Sequence, residues 1–361
     1  MDERLEIAKR LKGARAERWC LVGFDGVTDE LLEVVDIRKS ATEYEPIPTL
    51  EALGKRILAA AGKSCNLELV LKTTKVGGNG PILAGSLVKL GQKVTLAGMV
   101  GEAAPEPVFA EMAEGCEEVI LLGRSAHTQA LEFTDGKVML GRLEPFAHLN
   151  WSRIEQVLPI KGWIERMNRS DLIASVGWTL LPWMNTIWEG FLKEVVPSVK
   201  GEKRYWYIDL SDPAKRTAAD LKRGMELIKE LGRAFKVVLG VNDSEQAQVA
   251  AALGVKDEPE AIRKALALFG VTSHAAHRAQ LAIEGELFEY PVPTATRPKV
   301  MTGAGDNFNA GFIFALLQGY SPKEALVCGI GNASAYVRSG KSPTPDELAQ
   351  FMTLWHGGNL K

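Results

Sequence analysis

The stretch Thr302-Gly303-Ala304-Gly305-Asp306, with the apolar run 312–317 after it, constrains this chain more than any other part. Two glycines around an alanine let the backbone turn tightly with its N–H groups on one side, and the run that follows has the length and composition of a buried helix. The loop therefore opens a helix. A helix N-terminus presents unpaired N–H groups and the positive end of the dipole, so a glycine-cleared loop there is an anion site. Asp306 would repel a phosphate that it faced. Set just beyond the anion, it can instead take a proton from an attacking hydroxyl, while the amides of Gly303, Ala304 and Gly305 absorb charge on a phosphoryl group. The plainer role for a lone aspartate in such a loop is a helix cap, so the chemistry has to be supported by the rest of the chain.

Two other patterns lie upstream. Gly77-Gly78-Asn79-Gly80 leads into a run with the small residues Ala84, Gly85 and Ser86, where the glycines permit close approach of a ligand to the backbone. Asn242-Asp243-Ser244-Glu245 follows the apolar run 235–240 and opens another helix. Taken alone, the first is an ordinary strand-to-helix turn and the second an ordinary helix start. In this order, and covering nearly the whole chain, the three resemble the ribokinase/PfkB family of carbohydrate kinases. That family's C-terminal signature, roughly D-T-T-G-A-G-D-x-F-x-A-G, is matched from Thr302 through Gly311.

The resemblance implies a ribokinase-like three-layer α/β/α fold with a mainly parallel central sheet and a small β lid. Residues 1–361 would form a single kinase domain, with the lid inserted as segments near 31–48 and 127–143. The implied activity is ATP-dependent transfer of the γ-phosphoryl group to an alcohol of a sugar or related polyol, with Asp306 as base. ATP is then a co-substrate, and Mg2+ and a monovalent cation are the implied ions. By the same resemblance Asn242 and Glu245 hold the magnesium, largely through water, which suits an ion that gives up hydration reluctantly. Nucleotide contacts fall on Asn242, Thr272, Arg278 and Asn332, and sugar contacts on Gly77, Gly78 and Asn79. An aspartate after the first strand also binds sugar in the family; the usual spacing falls on Thr28, which leaves either Asp29 or Asp25, with Asp29 favoured. A homodimer through the lid is a further implication.

The chain also departs from the family pattern. Ile82 stands where an asparagine contacts substrate hydroxyls, and losing a hydrogen-bonding group there changes which sugar fits. Ser273-His274-Ala275-Ala276-His277-Arg278 replaces a glycine-rich turn over the nucleotide, and Val300 and Met301 stand where aspartate and threonine are common. These changes favour the alternative of a catalytically weak sugar- or nucleotide-binding regulator on the same fold. His274 and His277, without a third ligand, do not make a metal site.

Between the motifs, short apolar runs alternate with helical patterns, which argues a parallel sheet covered on both faces. The runs 19–23, 94–100, 118–122, 172–177, 205–210, 235–240 and 266–272 read as strands. The segment 31–44 reads as an exposed strand, and 67–72 as a half-buried one. Helices are expected over 50–61, 152–167 and 181–195, and in a long segment ending near Leu231 that Ser211-Asp212-Pro213 caps. Asp135-Gly136 marks a hairpin turn. Eight tryptophans, five of them between Trp151 and Trp188, read as core and helix-packing aromatics.

A net charge of −2 offers no basic excess for nucleic acid. The four cysteines lack the close pairing of zinc or redox sites and are expected to be reduced, small apolar residues. No run reaches membrane-spanning length and the N-terminal segment lacks a leader's apolar core, so a cytoplasmic location is expected. The absence of Gly-x-Gly-x-x-Gly after the first strand, and of a P-loop pattern, points away from a nicotinamide oxidoreductase.

Overall fold

The short apolar runs become strands. In a computed structural model, which describes residues 2–13 and 16–360, the first half of the chain forms β1 (Trp19–Phe24), β2 (Val27–Arg38), β3 (Tyr44–Pro46), β4 (Leu69–Gly77), β5 (Lys93–Gly98), β6 (Glu118–Leu121), β7 (Ala126–Phe133) and β8 (Gly136–Arg142). The second half adds β9 (Leu172–Ser175), β10 (Tyr205–Asp209), β11 (Lys236–Asn242), β12 (Gly270–His274), β13 (Arg278–Ile283) and β14 (Glu286–Pro291). Among the described residues, nine strands form one sheet in the order β14-β13-β12-β11-β10-β9-β1-β5-β6. Pairing is parallel from β12 to β6 and antiparallel only at β13 and β14.

Parallel strands are apolar on both sides and need a helical layer on each face. One layer contains the helices Glu3–Leu11, Asn79–Lys89, Ala304–Leu317 and Pro322–Ser339, with Leu83, Phe312 and Leu326 buried between them. The other is rich in indoles. Trp163, Trp178, Trp188 and Trp206 are wholly buried there, and the ring N–H groups of Trp188 and Trp206 both donate to Ser175 Oγ, at 3.0 and 2.8 Å. These four tryptophans are core residues, as their number and spacing suggested, whereas Trp183 is 45% exposed. Cys20 and Cys328 are likewise buried and unpaired. Among the described residues, no helix is long and apolar enough to cross a membrane.

Strand β1 lies between β9 and β5, so the chain winds away from it in both directions. The carboxyl ends at such a reversal form the crevice where open α/β sheets bind ligands. Asp25 follows β1, Asp209 ends β10 and Asn242 ends β11, which puts all three at that crevice.

A second sheet, ordered β3-β2-β7-β8 with β4 on the other edge of β2, overhangs it. Here the strands differ from expectation. Leu69 and Leu71 of β4 are 38% and 53% exposed rather than half-buried, because β4 pairs with β2 and not with the central sheet. The 31–44 segment is less exposed than expected: Leu32 and Val34 pack with Ile47, Leu53 and Leu131 into a small core under the helix Leu50–Leu58.

Two helical expectations and one strand also shift. The helix over 152–167 is two helices, Trp151–Val157 and Ile160–Arg169, separated at Pro159, which has no N–H to continue the first. The strand over 266–272 starts late, because the helix Pro259–Leu266 claims its first residue and β12 runs on to His274. The helix Ala218–Ala234 is capped by Thr217, whose hydroxyl accepts from the Asp220 N–H at 3.1 Å. Ser211 and Asp212 instead form a tight turn with φ of 60° and 62°.

Candidate active site

Gly303 opens the Ala304–Leu317 helix at φ 86°, and a β-carbon there would lie 2.9 Å from the Tyr336 hydroxyl, so only glycine fits. Asn307 fastens the loop: its Nδ2 donates to the Gly303 carbonyl at 2.9 Å, and its Oδ1 accepts from the hydroxyls of Ser86 and Ser342. The Tyr336 hydroxyl donates to the Thr302 carbonyl at 2.9 Å. Of the three amides expected to face an anion, that of Ala304 closes the turn onto the Met301 carbonyl at 3.1 Å. The helix geometry leaves the next first-turn donors without an acceptor of its own.

Asp306 lies in that first turn and is only 6% exposed. Its Oδ1 accepts from Asn79 Nδ2 at 2.9 Å. Burial raises its pKa well above the ordinary value of 3.8, the charge of Asp209 adds to the rise, and the Asn79 bond opposes it. A carboxyl so placed binds a proton readily, which is what a general base requires.

The two aspartates left open for sugar part company. Asp25 is fully buried, its Oδ2 and Oδ1 accepting from the N–H groups of Asn79 at 2.7 Å and Gly80 at 2.6 Å. It is the anion of the Asn79–Lys89 helix N-terminus. Burial pushes its pKa up to about 6 against the pull of those amides. Asp29 stands half-buried on β2 beside Gly77, where a β-carbon would come within 2.6 Å of its carboxyl. Burial raises its pKa too, opposed by the Thr128 hydroxyl and the charges of Lys137 and Lys75. Gly78, at φ 86°, carries the chain from β4 into the helix, and Asn79 reaches both Asp306 and Ser211. Ile82 packs by Gly303 and lines a separate groove of about 970 Å³ with Tyr336 and Val76.

Asn242 and Glu245 form a reciprocal cap: Asn242 Oδ1 accepts from the Glu245 N–H at 3.0 Å and Glu245 Oε2 from the Asn242 N–H at 2.9 Å. Glu245 Oε1 accepts from the Asp212 N–H at 2.9 Å. Burial and then the Asp209 charge push the Glu245 pKa up to about 7. Among the described residues, no three acidic, histidine or cysteine side chains converge closely enough to ligate a metal directly. Glu245, buried beside the charges of Asp209 and Asp212, is nonetheless part of a donor set that fits a divalent cation held through water.

Three residues expected at the nucleotide have partners within the protein. Thr272 is wholly buried, its hydroxyl 3.3 Å from that of Tyr207. Asn332 is also wholly buried, its Nδ2 donating to the Asn307 carbonyl at 2.7 Å and to Ser86 Oγ at 3.1 Å, so it ties helices together. Arg278 begins β13 on the surface, 3.5 Å from Glu289. His274 lies beside Gly305 with its ring against Phe308, and desolvation lowers its pKa.

The motifs missed Asp209 and Ser211. Asp209 is 6% exposed; its Oδ2 accepts from Asn309 Nδ2 at 2.9 Å, and the Ser211 N–H donates to its Oδ1 at 3.1 Å. Its place at the carboxyl end of a parallel strand was the available signal.

A family model for prokaryotic ketohexokinases matches residues 3–355. The chain is 30% identical over 355 residues to a ketohexokinase of Haloferax volcanii, covering 96% of this chain and 93% of that protein. Among solved structures, a carbohydrate kinase from Agrobacterium tumefaciens superposes with a TM-score of 0.65 at 20% identity, covering 93% of this chain and 97% of that one. Arabidopsis thaliana ribokinase complexed with ribose and ATP gives 0.63 at 18% identity, covering 93% and 99%.

Proposed function

The chain belongs to the prokaryotic ketohexokinase family and is a carbohydrate kinase, and from that premise we propose that it moves the γ-phosphoryl group of ATP to an alcohol of a ketohexose, with Asp306 as general base. The observation that carries this is a buried, proton-attracting carboxyl in the first turn of a glycine-opened helix. The substrate hydroxyl gives its proton to Asp306 as its oxygen attacks phosphorus, while the amides beyond Gly303 and the helix dipole stabilise charge on the phosphoryl oxygens. Asp29, on the overhanging sheet, accepts hydrogen bonds from the sugar. Asn242 and Glu245 would hold Mg2+ through water, and the ion supplies charge neutralisation across the phosphates.

The overhanging sheet acts as the lid, sealing the sugar from water so that ATP is not hydrolysed instead. Its exposed apolar residues, Leu69, Leu71 and Met139 among them, are the surface a homodimer would use.

The test is a panel of ketohexoses, aldoses, nucleosides and polyols, followed by ADP release, with calorimetry beside it. Turnover is expected to be greatest with a ketohexose. Heat without turnover would instead support a binding regulator. Asp306→Asn is expected to fold normally and lose about 10²–10⁴ in rate; undiminished turnover in that variant sinks the assignment.

A further inference from the structure

Asn79 sits between two groups with opposite needs. Its Nδ2 lies 2.9 Å from Asp306 Oδ1, and its Oδ1 lies 3.0 Å from Ser211 Oγ. The same Ser211 oxygen is 3.1 Å from Asp209 Oδ1. A hydroxyl carries one proton. Ser211 therefore donates either to the carboxamide oxygen of Asn79 or to the carboxylate of Asp209, never to both at once.

We propose that Asp209, Ser211 and Asn79 form a hydrogen-bond relay that positions Asp306 and reverses direction when Asp306 takes the substrate's proton. This rests on Asp306 being the base. Before transfer, Asp306 is a carboxylate and can only accept, so the Asn79 NH2 donates to it and the Ser211 hydroxyl donates to Asn79 Oδ1. After transfer, Asp306 bears a proton and becomes a donor. The carboxamide then makes a half-turn: Asp306 O–H donates to its oxygen, its NH2 donates to Ser211 Oγ, and the Ser211 hydroxyl swings to Asp209 Oδ1. The one proton that changes owner passes from the substrate alcohol to Asp306, and nothing crosses the relay.

The surroundings suit such a reversal. The two ends of a carboxamide have nearly the same shape, so the half-turn needs no repacking. The far end is fixed, because Asp209 Oδ2 accepts from Asn309 Nδ2 at 2.9 Å and Asn309 Oδ1 accepts from the Tyr207 hydroxyl at 2.6 Å. The relay also gives the turn at Ser211 a purpose that helix capping did not. The positive φ there aims the hydroxyl at Asn79, and the backbone N–H of the same residue still donates to Asp209.

That positive φ makes the test clean. Ser211→Gly removes the hydroxyl and leaves a residue better suited to φ 60°. We expect the single-turnover transfer rate and kcat to fall about tenfold, as for a lost hydrogen bond to a charged group. KM for ATP should stay within about twofold and the melting temperature should hold or rise. Ser211→Ala should show the same loss in rate. A Ser211→Gly enzyme with wild-type transfer overturns the relay, as does one whose rate falls only together with its melting temperature, since that marks a structural role. Asp306→Asn separates the two assignments: if it is active the base itself is wrong, whereas if it is inactive and Ser211→Gly is unaffected only the relay is wrong.

Discussion

At the floor of the cleft, Asp25, Asp209, Glu245 and Asp306 are buried and bonded to groups from distant segments: the Asn79–Lys89 helix start, the turn after β10 and the Ala304–Leu317 helix. In the overhanging sheet, Asp29 is half-buried on β2, while Lys75 and Lys137 are exposed on β4 and β8. The lid touches the anion loop through Lys137 Nζ, which donates to Thr302 Oγ1 at 2.8 Å. The floor is thus interlocked from distant segments, whereas the lid meets the anion loop through an exposed lysine. Substitutions in the floor should appear in the chemical step and in stability; those in the lid should appear in sugar affinity.

Two aspartates four residues apart put this contrast to its severest trial. Asp29→Ala is expected to raise KM for the sugar by about 10- to 100-fold, the loss of hydrogen bonds to a charged group, with the melting temperature almost unchanged. Asp25→Ala strips two buried helix-start amides of their acceptor and should destabilise the fold by about 2 kcal/mol or more. Steady-state kinetics and thermal melts on both variants decide it; matching behaviour of the pair would erase the distinction between floor and lid.

The floor should also respond to pH. Asp25, ordinarily 3.8, is pushed up to about 6, and Glu245, ordinarily 4.5, up to about 7. Both bind a proton more firmly folded than unfolded, so their contribution to stability is fully present below the ordinary values and is lost as pH rises through 6 to 7. The ligand-free enzyme is expected to melt about 3 °C or more higher at pH 5.5 than at pH 8, and Glu245→Gln should flatten that dependence. Melting temperatures that climb with pH instead would show that the floor is not desolvated. The smallest effect is expected from Lys137→Met, about threefold in kcat/KM and weaker at high salt, because its bond is exposed. A loss beyond about tenfold would mean that the lid lysine meets the phosphoryl group itself.

What could be read from sequence follows from how local the signal was. The glycine-opened helix, the Gly77-Gly78 turn and the Asn242–Glu245 cap are set by neighbours within four residues, and the structure has each where its residues indicate. The Ser211 turn was hidden, since Ser-Asp-Pro is also good capping chemistry and only the backbone reveals a positive φ. β4 was misjudged because its partner is β2, some forty residues earlier. Asn332 was expected at the nucleotide; its bonds to Ser86 and Asn307 join segments that local pattern cannot bring together.

The four buried indoles on one flank of the central sheet give the molecule an optical asymmetry. Intrinsic emission will chiefly gauge that flank, whereas circular dichroism samples the whole backbone. A melt followed by both signals will superimpose only if the two helical layers release the sheet together, so the placing of Trp163, Trp178, Trp188 and Trp206 offers a label-free measure of cooperativity between them.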